Sequence, residues 1–168
     1  MKITFLTALI AAACEAKRGK GKPEWTYACC KVAEKDGDAD GITGALFFIQ
    51  SDRQKGMKTF GSLSMNADSV DESGEECRYL GITEGASDDT CANPGDEWHF
   101  GEAPRCGLKP ACFNESGSAT YEYGGIRAQL ADLIKEDSPY SISLYDTAER
   151  TDESVIDACC TIEKLDTK

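Results

Sequence analysis

Asp96-Glu97-Trp98-His99-Phe100-Gly101, then Cys106-Gly107-Leu108-Lys109-Pro110-Ala111-Cys112-Phe113-Asn114, is the stretch on which the reading of this chain turns. It holds the only histidine of the protein and two of its nine cysteines. It ends in Asn114-Glu115-Ser116, an N-glycosylation sequon. Its distal counterpart is Ala158-Cys159-Cys160-Thr161-Ile162. Between them these two segments carry the cysteines, aromatic residues and lone imidazole around which the rest is arranged.

A chain of 168 residues, 40% hydrophobic, suits one domain with its own core. Thirty acids against 18 bases give a net charge of -12. A nucleic-acid duplex would repel such a surface, whereas cations, mineral and basic proteins would not. Solubility alone also explains the acidity, and is the simpler account.

The first residues read as a targeting segment. Lys2 precedes an apolar run over 3–13, and small residues around Ala13-Cys14-Glu15-Ala16 place cleavage after Ala16, giving a signal peptide over 1–16. That run is too short to span a bilayer, and no other stretch is long and apolar enough. The expected product is secreted and does not enter a membrane. Cleavage removes Cys14 and leaves an even set: Cys29, Cys30, Cys77, Cys91, Cys106, Cys112, Cys159 and Cys160. In an oxidising compartment an even set suggests up to four disulfides, and the absence of any Cys-x-x-Cys argues against a zinc ribbon.

Residues 17–24 form a basic, glycine-rich arm, expected to be flexible. The domain proper is expected over 25–168. Asp36-Gly37-Asp38-Ala39-Asp40-Gly41 begins like an EF-hand loop, but its twelfth position is Phe47, which has no carboxylate. A hairpin turn is the better reading, with calcium the alternative. Strands are expected over 25–33, 42–50, 57–65, 118–123, 126–134, 140–146 and 155–163, with a helical turn as the alternative over 128–135. Tyr140-Ser141-Ile142-Ser143-Leu144-Tyr145 alternates as a strand with one buried face should. Residues 66–95 carry Asp68, Asp71, Glu72, Glu75, Glu76, Glu84, Asp88 and Asp89 and read as an acidic loop. A loop of that length needs restraint, so Cys77 and Cys91 are expected to close it.

The order of these motifs resembles the copper/zinc superoxide dismutase family. There a His-x-His-Glu-Phe-Gly run is followed by a Cys, then by His-Phe-Asn, and an Ala-Cys-Gly-Val-Ile strand lies near the end. Gly-Ile-Thr-Gly-Ala-Leu-Phe-Phe-Ile-Gln (41–50) and Lys-Thr-Phe-Gly-Ser-Leu (58–63) resemble the opening hairpin of that fold. The resemblance implies an all-β, eight-stranded Greek-key β-barrel, with 66–95 as an acidic loop insertion. It also implies a Cys106–Cys159 disulfide, whose chain-entropy contribution would be roughly 4 kcal/mol. Cys29 or Cys30 would pair with Cys160, and Cys112 with the other member of that first pair.

The same resemblance shows what is missing. Copper in such a site needs several imidazoles, and His99 is the only one here. With Phe100-Gly101 as anchor, the two copper histidines fall at Asp96 and Trp98; a one-residue gap moves them to Glu97 and His99. The bridging histidine falls at Cys112 and the last copper ligand at Tyr145, while Ile156 takes the place of the guiding arginine. The implied function is a secreted, non-catalytic dismutase-like protein of extracellular fluid or matrix, binding divalent cations or an extracellular protein. No cofactor is expected; copper and calcium are the metals left open. A degenerate copper-dependent dismutase using His99, Cys112 and Tyr145 is one alternative. A protein-binding module is the other. The sequence leaves the oligomeric state open.

Overall fold

The computed structural model describes residues 22–32, 41–71, 75–86, 91, 108–146 and 156–166. The strands are β1 (Trp25–Val32), β2 (Thr43–Ser51), β3 (Met57–Ser64), β4 (Glu75–Glu84), β5 (Ala111–Asn114), β6 (Ser118–Ile126), β7 (Ile134–Lys135), β8 (Ser138–Tyr145), β9 (Ile156–Thr161) and β10 (Glu163–Lys164). The chain is all-β: the described helical structure is one 3₁₀ turn, Ala67–Ser69, and one α-turn, Leu130–Leu133. No described helix is long and apolar enough to cross a membrane.

The first sheet runs β10-β1-β2-β3-β6 and the second β5-β4-β8, with β9 and β7 also paired to β8. Every ladder is antiparallel. After β3 the chain makes β4 and β5 in the other sheet before returning to place β6 beside β3.

Period-two alternation builds the first sheet. Ala28, Cys30 and Val32 of β1, Leu46 and Phe48 of β2, and Ala119 and Tyr121 of β6 are buried. Leu80, Ile82, Phe113, Ile142, Leu144 and Ala158 meet them from the second sheet. Gly44 and Gly61 let β2 and β3 approach closely: a Cβ on Gly44 would lie 2.3 Å from the Ser62 carbonyl oxygen, and one on Gly61 2.1 Å from that of Ala45. Gln50, buried at the end of β2, donates from Nε2 to the Ala128 carbonyl (3.1 Å) and accepts the Leu130 N–H (2.6 Å). That amide fixes the α-turn, and residues 126–134 are therefore not the continuous strand expected; the helical alternative holds over Leu130–Leu133.

The larger correction is β4. Residues 75–84 were read within an acidic loop, but they form a ten-residue strand between β5 and β8. The charges misled because they sit at the two ends of the strand, while Leu80 and Ile82 between them are fully buried, and Thr83 with them.

The disulfides also differ from expectation. Cys77 bonds Cys112, directly opposite it in the β4–β5 ladder. Cys91 bonds Cys159, so neither the Cys77–Cys91 nor the Cys106–Cys159 pairing forms, and Cys112 takes no first-strand partner. Cys30, rather than Cys29, bonds Cys160. Strand alternation explains the choice in both vicinal pairs. Cys30 and Cys160 point into the core, while Cys29 and Cys159 point to the opposite faces of their strands. Cys29 is a free thiol. The three disulfides among the described residues suit an oxidising, extracellular-type environment. Cys106 lies outside the described residues, as do the signal segment over 1–16 and the Asp36–Asp40 turn. Glu24, at the end of the expected arm, accepts the Asp52 N–H (2.9 Å) and donates its own to Asp52 Oδ1 (3.1 Å).

Candidate functional site

One sheet face is polar yet buried. On the side of the second sheet turned away from the core, Tyr79, Gly81 and Thr83 of β4 stand opposite Tyr145, Ser143 and Ser141 of β8. Ser143 and Ser141 in turn face Cys159 and Thr161 of β9. The outer face of an edge-of-molecule sheet normally meets water, but Ser141, Ser143 and Thr83 are at most 1% exposed and Tyr145 is 8% exposed. Cys91, itself buried, is tied down on this face by its bond to Cys159, and the Gly85 carbonyl accepts the Ser141 hydroxyl at 2.7 Å.

Burying hydroxyls without partners would be costly, so their bonding decides what they are free to do. Thr83 Oγ1 lies 3.3 Å from Ser143 Oγ and 3.5 Å from the Ser141 carbonyl. The cluster satisfies itself and the backbone. An activated nucleophile needs a base within hydrogen-bond reach, and none of these described contacts supplies an imidazole or carboxylate. The described bonds of the cluster tie β4 to β8 and to the Gly85 carbonyl.

A second polar group caps one end of the core. Arg78, on the core side of β4, reaches Asp157 of β9 through Nε at 2.5 Å and Glu76 of its own strand through Nη1. Its side chain is 6% exposed and that of Asp157 is 9% exposed. A guanidinium that is this deep is stable only with its charge opposed, which two carboxylates achieve together. Of this trio only Glu76 was named in the sequence, as one carboxylate of the acidic loop. The alternation Arg78-x-Leu80-x-Ile82 was the available signal, and it was hidden by reading the segment as a loop.

The other named positions separate. Cys112 is a half-cystine. Tyr145 sits on the buried polar face opposite Tyr79 of β4, the strand that carries Cys77, and Cys112 lies one strand further, on β5. Asp96, Glu97, Trp98, His99 and Cys106 lie outside the described residues. Ile156 pairs with Tyr145 at the start of β9. Among the described residues no three His, Cys, Asp or Glu side chains are grouped to hold a metal ion. Asn114 is exposed at the end of β5, and its Oδ1 accepts from the Ser116 N–H (3.1 Å), the Ser116 hydroxyl (2.7 Å) and the Ser118 N–H (3.1 Å). Gly117 completes the turn with φ 69°.

Tyr121 links the two sheets. From β6 it donates to the Lys109 carbonyl (3.1 Å), just ahead of β5, and the Lys109 ammonium stands 5.8 Å from the Tyr123 ring centre. Burial pushes the Tyr121 phenol pKa well up, with smaller contributions upward from Tyr123 and downward from the Lys109 bond.

No protein-family model matches this chain, and no curated protein matches it.

Proposed function

We propose that this is a secreted, non-catalytic protein with a copper/zinc superoxide dismutase-like Greek-key barrel, working through its acidic surface rather than through a metal centre. The observation that carries the reading is the neighbourhood of Tyr145. Under the resemblance Tyr145 holds the place of a copper ligand on the penultimate strand. The strand face around it presents Tyr79, Gly81, Thr83, Ser143 and Ser141, with no imidazole among them. Hydroxyls bonded to one another are poor ligands for copper. The strand order supports the barrel, since β6 returns to β3 after two strands in the other sheet. The Cys91–Cys159 bond departs from the family pattern, which puts the loop cysteine after Phe100-Gly101, at Cys106, whereas Cys91 precedes that run.

The net charge of -12 favours divalent cations as the class of ligand for the surface. Asn114 is proposed as a glycan site, because its turn holds the sequon exposed at the rim. Metal analysis of the protein purified from a secreting host, followed by a superoxide-consumption assay, tests the reading. The expected result is no stoichiometric copper and no catalysed loss of superoxide. Stoichiometric copper with activity abolished by His99→Ala would sink it in favour of a copper-dependent dismutase. Calorimetry with calcium separates the cation-binding version: absence of heat at millimolar calcium removes that version alone.

A further inference from the structure

The three disulfides differ in how far a reagent can reach them. Cys30, Cys160, Cys91 and Cys159 are buried, none of them more than 8% exposed. Cys77 and Cys112 are only half-buried. Strand alternation accounts for this: Arg78 and Leu80 of β4, and Ala111 and Phe113 of β5, point to the core, so Cys77 and Cys112 stand on the outer face. They also lie at the margin of the second sheet. β5 ends the strand order β5-β4-β8, has four residues and makes its one described ladder to β4. Cys77↔Cys112 is a rung of that ladder, with Arg78↔Ala111 on one side and Glu76↔Phe113 and Glu75↔Asn114 on the other. β4 has six further rungs to β8 that do not involve β5. Under the resemblance Cys77 falls in the acidic insertion and Cys112 takes the place of a histidine, so this bond has no counterpart there.

We propose that Cys77–Cys112 is a redox-operated clasp: a dithiol reductant opens it while the other two bonds stay intact, and its opening frees β5 from the edge of β4. Thiol–disulfide exchange needs a thiolate to reach a sulfur, so access ranks the three bonds. One thiolate of the reductant attacks either sulfur of the pair. The Cys77–Cys112 bond breaks, a mixed disulfide forms and the other cysteine leaves as thiolate. The reductant's second thiolate then attacks the reductant sulfur of the mixed disulfide and releases the remaining cysteine. Two electrons pass from the dithiol to the protein, the reductant ends as its own disulfide, and the two released thiolates take up the two protons that the dithiol lost. A disulfide oxidant reverses each step, and the ladder register holds the two cysteines opposite each other for reclosure.

Packing limits what opens. Phe113 is fully buried and Ala111 is buried beside it, so core side chains still hold β5 when the clasp is undone. The consequence is local opening of one strand rather than loss of the fold. Past β5 the Asn114 carbonyl accepts the Gly117 N–H (2.7 Å), and the Gly117 carbonyl accepts the Met65 N–H (2.8 Å). The turn into β6 is thus moored beside the end of β3 independently of the clasp, which puts the hinge at Asn114.

Stepwise reduction of the folded protein tests this. Thiols that are already free are blocked with iodoacetamide. The protein is then exposed to dithiothreitol or to a thioredoxin-class dithiol protein, and the thiols released are trapped with N-ethylmaleimide and located by peptide mapping. Cys77 and Cys112 should be trapped together, about tenfold or more faster than Cys30, Cys160, Cys91 or Cys159. Amide exchange in β5 should then rise about tenfold or more, with that of β1, β2 and β3 unchanged. The Cys77→Ala/Cys112→Ala variant should release no thiol on the same timescale, and its β5 should exchange like that of the reduced parent. Release of a buried pair first or at an equal rate, release of all three pairs together with loss of the far-UV spectrum, or β5 exchange unchanged by reduction would each overturn the proposal. None of these outcomes depends on metal content or superoxide activity, so it stands or falls apart from the functional reading above.

Discussion

The five-stranded sheet and the sheet built on β4 and β8 share one core but are secured differently. The first relies on apolar alternation and close strand contact: β1, β2 and β3 pair in unbroken register, and glycines at 44 and 61 bring two of them together. The second sheet carries two of the three disulfides, the Arg78–Asp157–Glu76 group and the buried hydroxyls of Thr83, Ser141 and Ser143. At its centre β4 and β8 pair across 56 to 66 residues of chain, and the covalent and ionic restraints around them offset that loop-closure entropy. In the first sheet the β1–β2–β3 meander joins neighbours in sequence, and there regular hydrophobic patterning suffices.

The largest test severs the bond joining the two sheets. Cys30–Cys160 closes a separation of 130 residues, for which chain entropy alone gives about 5 kcal/mol. The Cys30→Ala/Cys160→Ala variant should lower the denaturation midpoint more than Cys77→Ala/Cys112→Ala, whose separation of 35 corresponds to about 4 kcal/mol. Equal losses in denaturant titrations would mean that the two cross-links do not differ in this way.

Next comes the ionic restraint peculiar to the second sheet. Arg78→Ala strands a buried carboxylate and should destabilise by about 3–5 kcal/mol, whereas Arg78→Met with Asp157→Leu should recover most of that loss. A double-mutant cycle on unfolding free energies reads the coupling. Additive losses would show that Arg78 contributes by packing alone.

In the first sheet the sharper probe is steric. Gly61→Ala forces a Cβ against the Ala45 carbonyl and should cost about 1–3 kcal/mol. Gly85→Ala at the rim of the second sheet meets nothing within 4 Å, so what it loses, measured by thermal melting, should come from its φ of 96° alone and amount to about 1–2 kcal/mol.

The smallest effect concerns the phenol that bridges the sheets. Tyr121 has its pKa raised in the folded protein, so the stability it contributes is whole below its unfolded pKa of about 10 and is lost as pH rises above that towards the folded value. Tyr121→Phe should lose about 1 kcal/mol at neutral pH with the Lys109 bond, and should show a shallower fall in stability above pH 10. Parallel alkaline curves for the two proteins would remove Tyr121 from the pH dependence.

The difference between the sheets also decided how far the sequence could be read. β1, β2, β3, β6 and β8 announce themselves because apolar residues recur at every second position, with β-branched and aromatic residues between them in the first sheet. β4 does not, because Glu75, Glu76 and Glu84 bracket it and Arg78 occupies a core-facing position. A charge inside a core is intelligible only with its partner in view, and Asp157 is 79 positions away. The polar face around Tyr145 was equally hidden. Ser141 and Ser143 read as the solvent side of an alternating strand, yet both are buried, with Ser141 bonded to the Gly85 carbonyl and Ser143 opposite the disulfide-bonded Cys159.

Composition and periodicity by themselves determined an all-β chain, an acidic surface, a single imidazole and a cysteine set suited to oxidation. Those properties are local or additive, and a list of residues is enough to hold them. Which cysteines meet, which strand lies at the centre of the second sheet and which carboxylate answers Arg78 were decided only by the tertiary structure. Each depends on the face to which a side chain points after the sheets have packed, and on segments brought together across 35 to 130 residues of chain.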